Sequence, residues 1–164
     1  MKKISILVLV LSAAFTNAQA YKGKGDAKFS VGFNTQGQGT GLNVMTDFGS
    51  GENISFGISA TYLMNTVVIN NQKPKFEDRA DIKARFNANL GNVFKLNPKM
   101  DIYPGLDLGT RNFGGHLGFR YFLSNGFGIY TEAGVPFSRY DMQPTDFQFY
   151  NNQFYFNIGA CFNL

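Results

Sequence analysis

Apolar and polar residues alternate one for one along this chain in about eight separate stretches, and that period of two limits its fold more than any other feature. A strand sends successive side chains to opposite faces, whereas a helix needs apolar residues three and four apart. The clearest stretch runs from Arg79 to Leu90. Ala80, Ile82, Ala84, Phe86, Ala88 and Leu90 share one face, and Asp81, Lys83, Arg85, Asn87 and Asn89 share the other. Wound as a helix, the same segment would scatter its charges around the axis. Upstream, Ala27, Phe29, Val31 and Phe33 oppose Lys28, Ser30, Gly32 and Asn34; Leu42, Val44 and Phe48 oppose Asn43, Met45 and Asp47. Ile54, Phe56, Ile58, Ala60 and Tyr62 then oppose Ser55, Gly57, Ser59 and Thr61.

The second half continues the pattern. Met100, Ile102, Leu106 and Leu108 oppose Asp101, Tyr103 and Asp107, with Pro104 predicting a bulge or a strand-end irregularity. Leu117, Phe119 and Tyr121 oppose His116, Gly118 and Arg120, and Ile129, Ala133 and Val135 oppose Tyr130, Glu132 and Gly134. The last stretch sets Phe154, Phe156, Ile158, Ala160, Phe162 and Leu164 against Tyr155, Asn157, Gly159, Cys161 and Asn163. Gly49-Ser50-Gly51 and Ser124-Asn125-Gly126 are hairpin turns by composition. Met64 to Glu77 and Ser138 to Asn151 read as long polar loops broken by Pro74 and Pro144. Short turns at one end and longer loops at the other fit a meandering membrane barrel, with Gly91 to Pro98 too long for its end.

The first twenty residues stand apart from this pattern. Lys2 and Lys3 precede an apolar run from Ile4 to Phe15, and small residues follow, so the segment 1–20 reads as an export signal cleaved after Ala18 or Ala20. The run is shorter than the ~20 residues of a membrane-spanning helix. One domain, 21–164, remains. Without Lys2 and Lys3 the chain holds 13 basic and 11 acidic side chains, so its net charge is about +2, with no basic cluster for nucleic acid. A single cysteine, Cys161, gives no internal disulfide, and a single histidine, His116, leaves no set of soft ligands for zinc.

Alternation alone does not say which face points inward; side-chain size does. The polar rows carry Gly32, Gly57, Gly105, Gly118, Gly128, Gly134 and Gly159 among long charged residues, and the apolar rows are mostly Phe, Ile, Leu and Val. The interior of an eight-stranded barrel is just wide enough for side chains, which suits small residues interleaved with ions. The expected fold is therefore an all-β, eight-stranded antiparallel up-and-down transmembrane barrel. Its expected lumen network is Lys28, Asp81, Lys83, Arg85, Asp101, Asp107, Arg120 and Glu132, together with Asp47. Arg120 and Glu132, twelve residues apart about the Ser124-Asn125-Gly126 turn, are expected to pair. Phe147, Phe149, Tyr150 and Phe154 read as an interfacial aromatic girdle, with a ligand-stacking surface as the second reading.

The stretch Gly115-His116-Leu117-Gly118-Phe119-Arg120-Tyr121-Phe122, the turn Ser124-Asn125-Gly126 and the stretch Phe127-Gly128-Ile129-Tyr130-Thr131-Glu132-Ala133-Gly134 carry a resemblance. They resemble the penultimate hairpin of small outer-membrane barrels of the OmpA/OmpX kind, common in Bacteroidetes. Phe156, Ile158, Ala160, Phe162 and Leu164 resemble the C-terminal assembly signal of such proteins, with Leu164 in place of the usual terminal aromatic. The resemblance implies the outer membrane of a Gram-negative bacterium, insertion by the barrel-assembly machinery, and contact with outer-membrane lipid and lipopolysaccharide. It implies no particular activity.

The expected role is structural or surface-interacting, as a monomer with a side-chain-filled lumen, without catalysis and without cofactor or metal. A narrow porin-like channel is the first alternative. A lipid A-modifying enzyme using His116 is the second, weighed against a structural histidine placed on the inward row near the loop-bearing end of its strand. A soluble periplasmic barrel is the third.

Overall fold

The computed structural model describes residues 19–68, 71–140, 147 and 149–164. Its eight strands close into one antiparallel barrel: β1 (Ala27–Gln36), β2 (Gly39–Gly49), β3 (Ile54–Thr66), β4 (Ala80–Ala88), β5 (Met100–Gly109), β6 (Asn112–Phe122), β7 (Phe127–Arg139) and β8 (Tyr155–Asn163). Each strand pairs with its chain neighbours, and β8 returns to β1 over a register running from Lys28↔Asn163 to Gln36↔Tyr155. Closure gives every strand two partners, so no edge is left to template aggregation. A four-residue helix, α1 (Phe76–Arg79), lies between β3 and β4. Of the segment 1–20 expected to be an export signal, residues 1–18 lie outside the described residues.

The polar row of every strand faces the lumen. Phe33, Phe48, Ile58, Ile82, Leu108, Leu117, Ile129 and Ile158, one from each strand, are exposed on the outside, Phe33 by 71 % and Ile58 by 57 %. Lys28, Asp47, Asp81, Arg85, Asp101, Asp107, Arg120 and Glu132 are buried inside. The molecule is thus apolar outside and ionic inside, the reverse of a water-soluble domain.

Glycines on the polar rows make room for three inward tyrosines. Tyr103 faces Gly118, where a Cβ would come within 2.1 Å of its ring, and Tyr155 faces Gly134, where a Cβ would come within 2.4 Å. Tyr130 lies opposite Gly159, which itself pairs with Gly32 across the closing seam. A Cβ on Gly32 would sit 2.7 Å from the Tyr130 hydroxyl.

Pro104 makes no bulge. The β5–β6 ladder passes through Pro104↔Leu117 without a shift. The irregularity is on the other side: the β4–β5 ladder ends at Asn87↔Gly105, and a single bond from Leu90 N–H to the Ile102 carbonyl follows it. Alternate residues of a strand bond to alternate neighbours, so Pro104 faces β4 like Ile102 and has no N–H to give it. Register shifts occur instead at Thr40/Gly41 and Phe113/Gly114.

The ends are less asymmetric than the sequence suggests. At the end away from the termini, segments 67–79 and 140–154 are long, but 37–38 and 110–111 are two-residue connections. At the terminal end the turn 89–99 is long, beside the tight turns 50–53 and 123–126.

Candidate functional site

The lumen holds the buried polar chemistry of this molecule, and its two halves are built differently. In the terminal half, charges meet charges. Arg85 of β4 crosses the barrel to β7, its Nη2 2.5 Å from Glu132 Oε2, and its Nε lies 3.4 Å from Asp47 Oδ1 on β2. Its Nη1 also contacts the sulfur of Met45. Asp47 bridges to a second guanidinium, with Arg120 Nη1 3.8 Å from Oδ2. Arg120 Nε lies 3.3 Å from Asp101 Oδ2, and its Nη2 donates to Asn89 Oδ1 at 3.0 Å. The Arg120 guanidinium also stacks over Tyr103, 4.0 Å from the ring centre. Lys28 pairs with Asp26 at 2.7 Å and donates to Asn163 Oδ1 at 2.7 Å. Buried charges are retained only when such partners offset their lost hydration.

Arg120 and Glu132 do not pair with each other. The β6–β7 register sets Arg120 opposite Tyr130 and Glu132 opposite Gly118, two residues out of step. Each reaches across the lumen to a strand that is not its neighbour: Arg120 to β2, Glu132 to β4.

His116 sits mid-strand on β6, not near its loop-bearing end. Its Nδ1 lies 3.0 Å from Asp107 Oδ1, and its Nε2 lies 2.8 Å from Asn87 Oδ1 and 3.1 Å from Arg85 Nη2. Asp107 also accepts from the Tyr155 hydroxyl at 2.9 Å. No serine, threonine or cysteine hydroxyl or thiol is among these partners. Cys161 is buried in a small apolar cluster with Ala20, Met45, Phe122 and Tyr130. Among the described residues no group of His, Cys, Asp and Glu side chains is placed to hold a metal ion.

The other half of the lumen is lined by amides. Asn34 donates to Asn157 Oδ1 at 2.7 Å, and Gln36 donates to Asn34 Oδ1 and Asn151 Oδ1 at 3.0 Å each. Asn112 donates to the Asn151 carbonyl and to Asn152 Oδ1 at 2.7 Å each. Lys83 and Asp81 are the charged pair here, 3.8 Å apart, with Thr110 donating to Asp81 at 2.6 Å. Between the amides and the Arg85–Glu132 pair lies a polar space of about 10 Å³, the size of one water molecule.

A segment of the chain lies over each mouth. Residues 149–153 fold over the far mouth: the Asn151 N–H donates to Gln36 Oε1 at 2.8 Å, and Val67 N–H donates to the Tyr150 hydroxyl at 2.8 Å. Tyr150 is fully buried there, stacked against Phe147 and Phe149, so it belongs to this lid and not to an interfacial girdle. Phe154 alone of that group is exposed. At the terminal mouth the segment 19–26 forms a strap. Ala20 is buried and donates its N–H to the Pro98 carbonyl at 2.7 Å, and the Tyr21 hydroxyl bonds to the carbonyls of Gly51 and Ile54 at 2.9 and 2.5 Å. Burial, aided by the charge of Asp26, pushes the Tyr21 phenol up to about 12. The strap carries no alternation and the lid carries no period, so neither had a sequence signal beyond its turn glycines and amides. Of the C-terminal residues, Phe156, Ile158, Ala160 and Phe162 lie on the outward row of β8, and Leu164 follows the strand, its N–H bonded to the Ala27 carbonyl at 2.9 Å.

Fold and lumen together define a closed, eight-stranded antiparallel barrel with a polar interior filled by its own side chains. The chain belongs to the family of unknown function DUF6646, which matches residues 11–164. No curated protein matches it. Among solved structures it is similar to the solution NMR structure of outer membrane protein G from Pseudomonas aeruginosa, at 12% identity over 88% of this chain and 99% of that chain, with a TM-score of 0.49.

Proposed function

We propose that this protein is an outer-membrane barrel of the small OmpA/OmpX kind, spanning the bilayer as a sealed structural or surface-presenting element without catalysis. One observation carries the reading: the bulky apolar row is exposed on all eight strands while the ionic rows are buried. In water, so continuous an apolar surface would drive association; in hydrocarbon it is the favourable solvent contact. Strands of 9–13 residues suit the ~9–11 needed to cross. Closure satisfies the backbone where no water is available. The residues before β1 and the outward row of β8 are where an export signal and an assembly signal would act.

The Arg85–Glu132–Asp47 and Arg120–Asp101 contacts under an amide lid support the reading of a sealed lumen. His116 serves as a structural member of that filling, because Asp107, Asn87 and Arg85 occupy both of its nitrogens. The test is fractionation with heat-modifiability: the protein should resist carbonate extraction and migrate faster in unheated than in heated detergent gels. Release by carbonate would sink the membrane reading. Steady single-channel conductance in planar bilayers would replace sealing by a pore, and an altered lipid A profile that disappears in His116→Ala would restore the enzyme.

A further inference from the structure

Outside the lumen, the cations of the terminal end stand apart from the paired interior, and Lys24 is the one beside an apolar groove. Lys24 lies in the strap between Gly23 and Gly25, both at positive φ (87° and 86°), a conformation that turns the backbone on each side of it. Gly25 N–H bonds to the Gly49 carbonyl at 2.9 Å and Gly49 N–H to the Asp26 carbonyl at 2.7 Å, so the strap is fixed against the β2 end. The Tyr21 hydroxyl clamps the same strap to the turn 50–53. Lys24 is exposed and makes no ion pair among the described residues, in contrast to Lys28, which is buried four residues later.

Lys24 borders a shallow outward groove of about 570 Å³, open to the surroundings along its length. Its walls are Phe48, Phe56 and Ile58, each more than half exposed, and Ser50 lines it together with Lys24. The groove is continuous with the apolar outer surface. The barrel end around it is basic: Lys22, Lys24, Lys95 and Lys99 stand against one acidic side chain turned outward, Glu52, while Asp26 points inward to Lys28.

We propose that this groove binds one anionic phospholipid, its acyl chain along Phe48, Phe56 and Ile58 and its phosphate against the Lys24 ammonium and the Ser50 hydroxyl. This rests on the membrane reading above, and it adds a specific site and a lipid class to it. An apolar channel with an unpaired cation fixed at one end matches an amphiphile with a single charged head. A soluble anion would leave the phenylalanines unused, and a zwitterionic lipid would bring its own headgroup cation, along with its phosphate, beside the Lys24 ammonium. The charge balance of this end selects negative headgroups.

The test uses the full-length folded barrel in detergent with an equimolar mixture of phosphatidylglycerol and phosphatidylcholine, counting retained lipid by native mass spectrometry. The wild type should retain one phosphatidylglycerol in preference to phosphatidylcholine. Lys24→Gln should reduce that preference about fivefold. Phe48→Ala should lower retention of phosphatidylglycerol, and Lys75→Gln at the opposite end should change nothing. Soluble glycerol phosphate should not compete. Equal retention of both lipids by the wild type, an unchanged preference in Lys24→Gln, or full competition by glycerol phosphate would each overturn the site. The heat-modifiable band, recorded for every variant, reports the barrel separately: its loss in the wild type would refute the membrane reading, not the lipid preference.

Discussion

The two halves of the lumen solve the same problem with different chemistry. Both must fill a narrow interior with polar groups that have partners. The terminal half does so with full charges, Arg85, Arg120 and Lys28 against Glu132, Asp47, Asp101 and Asp26, contributed by strands all around the barrel. The far half does so mainly with amides, Asn34, Gln36, Asn112 and Asn157 from the strands and Asn151 from the lid. Losing one partner of a buried ion pair exposes a bare charge; losing one amide forfeits a neutral hydrogen bond. The terminal half therefore ought to act as the rigid base of the barrel, and the far half as the part that yields first.

The sharpest way to break this comparison is Arg85→Met. It strands Glu132, leaves Asp47 with Arg120 as its one remaining cation, and should cost about 3–5 kcal/mol, read as a lower urea midpoint of the heat-modifiable band. Pairing it with Glu132→Leu should recover part of that loss. Next in size is Gly118→Ala. The new methyl would collide with the Tyr103 ring that supports Arg120, and a loss of about 1–3 kcal/mol is expected by the same measurement. In the far half, Asn151→Ala should cost only about 0.5–1.5 kcal/mol per hydrogen bond, while protease cleavage within 140–154 becomes faster. If Asn151→Ala destabilised the barrel as much as Arg85→Met, the two halves would be energetically alike and the contrast would fail.

The smallest effect concerns the strap. A phenol raised to about 12 from its usual ~10 favours its neutral form in the folded state. Tyr21 therefore contributes fully below pH about 10, and that contribution fades as pH climbs towards about 12, because the unfolded chain loses its proton first. The stability difference between wild type and Tyr21→Phe should be level below pH 10 and narrow above it. A difference that stayed constant to pH 12 would show that the phenol is not held in this way.

How much of this was legible in the sequence follows from what a period of two can encode. It assigns each residue to a face, so the ionic rows and the apolar rows of all eight strands could be read directly. It does not encode who meets whom across a closed ring. The Arg120–Glu132 pairing failed because the β6–β7 turn offsets them by two positions, and because long side chains span the lumen to strands that are not neighbours. Arg85 and Glu132, forty-seven residues apart, left no local trace of their contact. The lid was hidden for a related reason: Tyr150 looks like a girdle aromatic until the chain buries it with its hydroxyl on Val67. The tyrosine–glycine contacts were half visible, since both residue types sat on the inward rows, but their adjacency needed the register.

One of those contacts bears on how the ring finds its correct closure. At the joint between first and last strands, Gly32 and Gly159 present bare backbone beneath the phenol of Tyr130. A slip of two residues would keep every side chain on its proper face and so would go unpunished by the inside-outside pattern. It would, however, carry β1 so that Ser30 or Asn34 stood where Gly32 belongs, and the aromatic ring would strike a side chain instead of a gap. An empty space on two strands thus discriminates the true alignment from its nearest imitators, a proofreading step performed by what those positions lack.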